Sequence, residues 1–204
     1  MPQGMAVSTE TWQGRLGVRE TLIRDRGFDP FATTDALPQL SLAVSRVMIR
    51  RGATALALGL GLDTGTSEAQ ARSARAHLGV TRASVPIELR VAPLPRAYAF
   101  ARVAPGLMIV AASMTDDSSP AKMTGDFNAL SVDGSAGVAV CLTPDRSVVG
   151  VWIQADAGYG YTPSHDLVLR PSLAGADQSK AGDLTLAPLA ARGAFGRIGV
   201  AITY

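Results

Sequence analysis

Residues 55–62 alternate leucine with alanine or glycine without a break, in the order Ala-Leu-Ala-Leu-Gly-Leu-Gly-Leu. Successive side chains of a β-strand point to opposite faces, so this segment predicts a strand with one leucine face and one face of small residues. Residues 130–142 and 149–159 show the same period of two, with Val and Ile opposite Ser, Asp, Gln and Gly. Polar residues therefore occupy the face where a water-soluble barrel would have its core.

The last eight residues form the most informative strand. Its four large apolar side chains share one face, and Arg, Gly, Ala and Thr share the other. The apolar positions are Ile198, Val200, Ile202 and Tyr204. An exposed strand of this kind promotes aggregation unless its edge is paired and its apolar face is covered by protein or lipid.

Eight segments have this strand character, and each has at least the roughly 9–11 residues that a tilted strand needs to cross hydrocarbon. They are Thr11–Leu22, Gln39–Arg50, Ala53–Leu62, Ala74–Val91, Arg96–Ala112, Phe127–Leu142, Arg146–Tyr161 and Gly193–Tyr204. Short connections alternate with long ones rich in Gly, Ser, Asp and Pro. The short ones are Arg51–Gly52, Ala92–Pro95 and Thr143–Asp145, and the long ones are Ile23–Pro38, Asp63–Ser73, Ser113–Asp126 and Thr162–Arg192. This regular alternation of short and long connections is typical of an even-stranded barrel with both termini and all short turns on one side.

Two features complicate the strand count. The alternation slips between Val44 and Val47 and between Val80 and Val85, where β-bulges would restore the phase. Residues 183–189 form a short apolar segment that either pairs with residues 167–169 as a hairpin extension or adds strands to the barrel. Eight strands are expected, and ten are the alternative.

Composition excludes several classes of protein. No run of about 18 apolar residues occurs, so no transmembrane helix is expected. The formal charge of +2 and the scattered arginines do not favour nucleic-acid binding. Cys141 is the only cysteine, which excludes an intramolecular disulfide and a Cys-rich metal site.

The C-terminal strand has apolar residues at every second position and an aromatic last residue, and in this it resembles the C-terminal strands of many bacterial outer-membrane β-barrels. The strands upstream of it resemble those of the small barrels of OmpA and OmpX type. This resemblance implies a closed antiparallel up-and-down transmembrane β-barrel over residues 11–204, preceded by a tail of residues 1–10. It also implies contact with the lipid bilayer and lipopolysaccharide in the outer membrane of a Gram-negative bacterium. Ile198, Val200, Ile202 and Tyr204 would then form the signal that the barrel-assembly machinery recognises.

Export to that membrane requires a secretory signal. Residues 1–7 have neither a basic region nor an apolar region of the kind that such signals contain. The sequence therefore indicates a mature form or a replaced start, unless the outer-membrane interpretation is wrong.

Several polar side chains fall on the inward face of the predicted strands. They are Arg15, Arg19, Glu88, Arg90, Asp133, Gln154, Asp156 and Arg197. The interior of an eight-stranded barrel is just wide enough for side chains to fill it, so we expect a network of ion pairs in place of a wide pore. Asp156 and Arg197 lie on adjacent strands and are an expected pair. A path for protons or ions is the less favoured alternative.

Aromatic residues fall mostly near the predicted strand ends, which favours girdles at the two membrane interfaces. They are Trp12, Tyr98, Phe100, Phe127, Tyr159, Tyr161 and Tyr204.

Candidate catalytic chemistry is sparse. His77 and His165 are the only histidines, and Ser164 and His165 point to opposite faces if they lie on a strand. No phosphate-binding loop, metal-ligand spacing or catalytic motif is present, so no enzyme activity, metal or cofactor is expected. The sequence predicts a structural or surface-interaction role through four extracellular loops. The alternative is a soluble lipocalin-like barrel that binds a small apolar ligand.

Overall fold

The computed structural model describes residues 12–94, 96–116, 119–144, 149–172 and 182–204. Its strands are β1 (Trp12–Leu22), β2 (Ala36–Arg51), β3 (Thr54–Ala71), β4 (Ala74–Ser84), β5 (Ile87–Leu94), β6 (Ala97–Asp116), β7 (Ser119–Cys141), β8 (Gly150–Tyr161), β9 (Val168–Pro171), β10 (Leu184–Thr185) and β11 (Gly193–Thr203). One turn of 3-10 helix spans Asp29–Phe31. The predicted tail 1–10, Thr11, Pro95, Asp145 and Arg146 lie outside the described residues. Among the described residues, no helix has the length and apolar character needed to cross a membrane.

The strands form a closed antiparallel ring. Its order is β1, β2, β3, β4, β6, β7, β8 and β11, and β11 pairs back onto β1. Strand β5 continues β4 past Val85 and Pro86 and pairs with the same two neighbours, β3 and β6. Proline has no N–H to donate to the ladder, which explains the break at this point. The predicted eight-stranded barrel is confirmed, and its closure leaves no free edge in the ring.

Each predicted spanning strand is present, but two of the predicted long loops are wrong. Strands β3 and β4 continue as a paired hairpin to a turn at Arg72 and Ser73, so residues 63–71 are strand. Likewise, β6 and β7 stay paired as far as Asp116 and Ser119. These segments are rich in Thr, Ser, Gly and Ala, which are common in loops but form strands when a neighbouring strand supplies hydrogen-bond partners.

The two predicted irregularities lie slightly further along the chain. The register of β2 against β3 shifts between Val47 and Ile49, just after the expected bulge. The second irregularity is the break between β4 and β5 at Val85 and Pro86, where a β-bulge was expected. Leu184 pairs with Leu169 and Thr185 with Val168, so residues 183–189 extend a hairpin and do not enter the ring.

Large aliphatic side chains cover the outside of the barrel, and we call them the outer belt. They are Leu16, Val18, Leu40, Leu42, Val44, Leu58, Leu60, Leu62, Ile87, Leu89, Val91, Val103, Leu107, Ile109, Leu130, Val132, Val138, Val140, Ile153, Ile198, Val200 and Ile202. Towards the end opposite the termini, outward positions change from Leu62 to Thr64 on β3 and from Val18 to Glu20 on β1. The outer belt therefore ends while β3, β4, β6 and β7 continue. We call the end with Trp12 and Tyr204 the terminal end and the opposite one the loop end.

The aromatic girdle is only partly as expected. Trp12, Tyr159, Tyr161 and Tyr204 are exposed on the outside at the two ends of the outer belt. The prediction is wrong for Tyr98 and Phe100, which are buried inside the barrel because they lie on the same face of β6 as Arg102. It is also wrong for Phe127, which lies opposite the buried Val110 and packs against the apolar cluster inside the barrel.

Candidate functional site: the barrel interior

An aromatic cluster closes the interior at the terminal end. The Tyr98 ring lies between those of Phe100 and Trp152, with centroids 6.0 and 5.1 Å away and ring planes tilted by 52° and 58°. The Tyr98 hydroxyl accepts hydrogen bonds from the side-chain amides of Gln13 and Gln154. This arrangement satisfies the polar end of a buried tyrosine while its ring fills the barrel.

The next layer is organised around Glu88, whose side chain is 1% exposed. Its carboxylate accepts from Arg15 Nη1 at 2.8 Å, Arg90 Nε at 2.7 Å and Arg102 Nε at 2.8 Å. Arg90 also donates to the Gln13 side chain at 2.7 Å, which joins this layer to the aromatic cluster. Three guanidinium groups thus compensate one fully buried carboxylate.

A second ion cluster lies nearer the loop end, around Asp63 and Asp133. Arg19 donates to both carboxylates, and Arg82 bridges the same pair. The guanidinium of Arg19 also lies 3.9 Å from the centroid of the Phe195 ring, a cation–π geometry. Cross-strand ion pairs of this kind tie together β1, β3, β4, β7 and β11.

Asp156 and Arg197 connect the two clusters. They are directly opposite each other on β8 and β11, and Arg197 Nη1 lies 3.6 Å from Asp156 Oδ2. Arg102 Nη1 approaches the same oxygen at 3.2 Å. Asp156 is therefore shared between two arginines.

All eight polar residues predicted for the lumen lie inside the barrel. Sequence reasoning missed Asp63, Arg82, Arg102 and Tyr98. Asp63 continues the small face of residues 55–61 by two positions and could have been found by extending that strand. Arg82 lies where the alternation slips, and only the strand pairing fixes its direction.

An apolar cluster, which we call the outer plug, fills the interior at the loop end. Its largest members are Ile23, Phe28, Phe31, Leu37, Leu78, Val80, Met108, Val110, Leu167, Leu169 and Leu189. Residues 23–37, 167–169 and 189 supply the members of this cluster that close the mouth of the barrel, and the other large members come from β4 and β6. A Cβ added at Gly27 would lie 2.6 Å from the Pro188 carbonyl oxygen, so only glycine fits at this contact.

Each histidine contacts a neighbouring side chain. His77 Nδ1 lies 3.0 Å from Glu68 Oε1 on the exposed β3–β4 hairpin. The His165 ring stacks on Phe127 at 5.1 Å between centroids, and its backbone pairs with Leu189. Within the described ranges, no group of three or more His, Cys, Asp or Glu residues is placed to hold a metal ion.

The terminal segment forms the seam of the barrel. Ile198, Val200, Ile202 and Tyr204 all point outward and are exposed. Trp12 and Tyr204 exchange two backbone hydrogen bonds of 3.2 Å each, which extend the seam to the terminal end.

The closed ring, the outer belt and the ion-paired interior together define a small eight-stranded transmembrane β-barrel of the outer-membrane type. In this class the strands satisfy all their backbone groups within the ring, and apolar side chains face lipid.

Among solved structures, the chain is similar to neisserial surface protein A (TM-score 0.43, 11% identity, 95% of this chain and 94% of that one). It is also similar to Ail, the attachment invasion locus protein of Yersinia pestis (TM-score 0.47, 10% identity, 96% of this chain and 99% of that one). No protein-family model and no curated protein matches the sequence.

Proposed function

We propose that this protein is an integral barrel of the outer membrane that acts at the cell surface through its loop end. The observation that carries this proposal is the structure of that end. Strands β3, β4, β6 and β7 continue past the outer belt, and the outer plug fills the barrel mouth beneath them. A transport protein would need an open lumen, whereas here the outer plug fills the lumen and the paired strands extend beyond it.

The side chains on those extended strands fit contacts with polar partners. Outward positions of the β3–β4 hairpin carry Thr64, Thr66, Glu68, Arg75 and His77. The Thr64 and Thr81 hydroxyls lie 3.1 Å apart across the hairpin. We propose lipopolysaccharide as the neighbour of this face, since hydroxyl and charged groups match its sugars and phosphates. The outer belt would contact the bilayer hydrocarbon.

The second candidate, a soluble lipocalin-like barrel, needs the opposite arrangement. Its ligand would lie in an apolar interior, and its outside would be polar. Here the middle of the interior holds arginines and carboxylates, and branched aliphatic side chains cover the outside. An apolar exterior of this extent favours a lipid environment.

The orientation can be tested by labelling single cysteines in intact cells. In a Cys141→Ser background, Arg72→Cys on the β3–β4 turn should react with a membrane-impermeant maleimide. Ala53→Cys on the β2–β3 turn at the terminal end should react only after the outer membrane is permeabilised. Equal labelling of the two positions in intact cells would contradict the proposed topology.

The filled interior predicts that the barrel does not conduct like a porin. The two ion clusters, the aromatic cluster and the outer plug occupy successive levels of the lumen. Purified protein in a planar bilayer should therefore give no stable, large conductance. Steady porin-like openings would show that the interior rearranges in the membrane. They would contradict the conclusion that the filled lumen prevents conduction.

A further inference from the structure

The barrel interior contains more positive than negative charge. Its charged side chains, among the described residues, are the arginines Arg15, Arg19, Arg82, Arg90, Arg102 and Arg197 and the carboxylates of Asp63, Glu88, Asp133 and Asp156. Six guanidinium groups thus face four carboxylates. An uncompensated charge in a water-poor interior is strongly unfavourable, so a negative group is needed near the excess arginines.

The structure shows where the excess lies. Among the described residues, Arg197 makes only long ion contacts, with Nη2 3.5 Å from Asp63 Oδ2 and Nη1 3.6 Å from Asp156 Oδ2. Arg15 is better paired, through the 2.8 Å contact of Nη1 with Glu88. The Nε atoms of both arginines are buried, and no described residue accepts a hydrogen bond from them. Buried donors of charged groups are rarely left unpaired in native proteins.

A cavity of about 30 Å³ lies between the two ion clusters, and both arginines line it. Arg102, Ser41 and Gln154 complete its polar lining together with Asp156. Asp156 already accepts from Arg102 and is the only carboxylate among these residues. The volume is enough for one or two atoms of about the size of water, since a bound water needs roughly 10–15 Å³.

We propose that this cavity binds one monatomic inorganic anion, with chloride as the physiological occupant. The anion would accept hydrogen bonds from the Nε groups of Arg15 and Arg197 and reduce the charge excess by one. The aromatic cluster and the outer plug close the lumen on either side, so the ion is enclosed when the barrel forms and acts as a structural component. This site is independent of the surface role proposed above.

Crystallography of the whole protein tests the site directly. The protein is refolded from urea into detergent with bromide as the only small anion, and anomalous diffraction is recorded near the bromine edge. A bromide peak in contact with the Arg15 and Arg197 Nε atoms is expected. Water density without anomalous signal in the cavity would overturn the proposal. Bromide peaks confined to the outer surface, which would mean an adventitious ion only, would overturn it as well.

A solution measurement provides a second test. The unfolding equilibrium constant is measured in mixtures of chloride and gluconate at fixed ionic strength, because gluconate is too large for the cavity. For a bound chloride, this constant should fall by up to tenfold for each tenfold rise in chloride. Arg197→Gln should abolish the dependence, whereas Arg46→Gln, which removes an outside guanidinium that lies over Trp12, should retain it.

If Arg197→Gln does not refold, Arg15→Gln replaces it, since it removes the other unpaired Nε group. A wild-type stability that does not respond to chloride would overturn the proposal. An undiminished chloride response in whichever of these two variants refolds would also overturn it.

Discussion

Glu88→Gln should lower the free energy of unfolding by about 3–5 kcal/mol, the usual cost of removing one partner from a buried ion pair. The amide has nearly the shape of the carboxylate, so the change removes charge and leaves packing almost intact. Arg15, Arg90 and Arg102 would then share no carboxylate in their layer, and the positive excess of the interior would increase. Urea unfolding in lipid vesicles, followed by tryptophan fluorescence, measures the loss.

Glu68→Gln is the matched control for this prediction. Its chemistry is identical, but Glu68 lies on the exposed β3–β4 hairpin, where its side chain is 76% exposed beside His77. Exposed pairs contribute little because water screens them, so this variant should unfold like the wild type. Equal losses in the two variants would mean that burial of Glu88 does not determine its contribution.

Deletion of Ile202, Thr203 and Tyr204 should abolish membrane insertion. The deletion removes the last rungs of the ladder between β11 and its two neighbours, β1 and β8. It also removes the Thr203 hydroxyl, which accepts from the Trp152 indole at 3.0 Å. Open strand edges in hydrocarbon leave backbone groups unsatisfied at a cost of several kcal/mol each. The truncated chain should accumulate in the periplasm or be degraded, and the heat-modifiable band of the folded barrel should disappear from gels.

Substitutions at Tyr204 separate the seam from the proposed assembly signal. Tyr204→Phe retains both the aromatic ring and the backbone pairing with Trp12, so insertion should persist. Tyr204→Ser retains only the backbone pairing, and its insertion should fall if the assembly machinery recognises the ring. Removal of residues 1–8 should be tolerated. An unchanged heat-modifiable band in the truncated protein would remove the main support for the role of the terminal strand.

The spanning strands could be predicted from sequence because lipid imposes a simple rule on their outward face. Leu58, Leu60 and Leu62 need no particular neighbour, so alternation alone identifies their direction. The inward face follows from the same alternation wherever the phase is continuous, as it is around Asp156 and Arg197, which lie opposite each other on β8 and β11.

The loop end could not be predicted in this way because its strands leave the lipid. Outside the outer belt, the outward positions carry Thr, Ser and charged residues, and the apolar contrast that marks a strand is lost. The outer plug depends on contacts between segments that are far apart in sequence. For example, the Phe31 backbone carbonyl accepts a hydrogen bond from the Ser67 hydroxyl at 2.9 Å. Phe28, Phe31 and Leu189 of the plug come from segments that composition alone describes as irregular, and they pack on inward residues of β4 and β6. The pairing of Arg19 with Asp133 likewise depends on ring closure, which brings strands far apart in sequence together.

The contrast between the two faces of each strand affects how this sequence can change during evolution. An outward residue such as Leu60 is exposed on the outer belt, where it would contact fluid lipid tails, so another aliphatic side chain can replace it without a second substitution elsewhere. The Asp63 carboxylate is shared by Arg19, Arg82 and Arg197, and changes at such positions are energetically coupled. Inward positions should therefore change in concert and slowly, while outward positions drift singly. Related barrels should then retain their interior charge pattern long after their overall sequence identity has been lost.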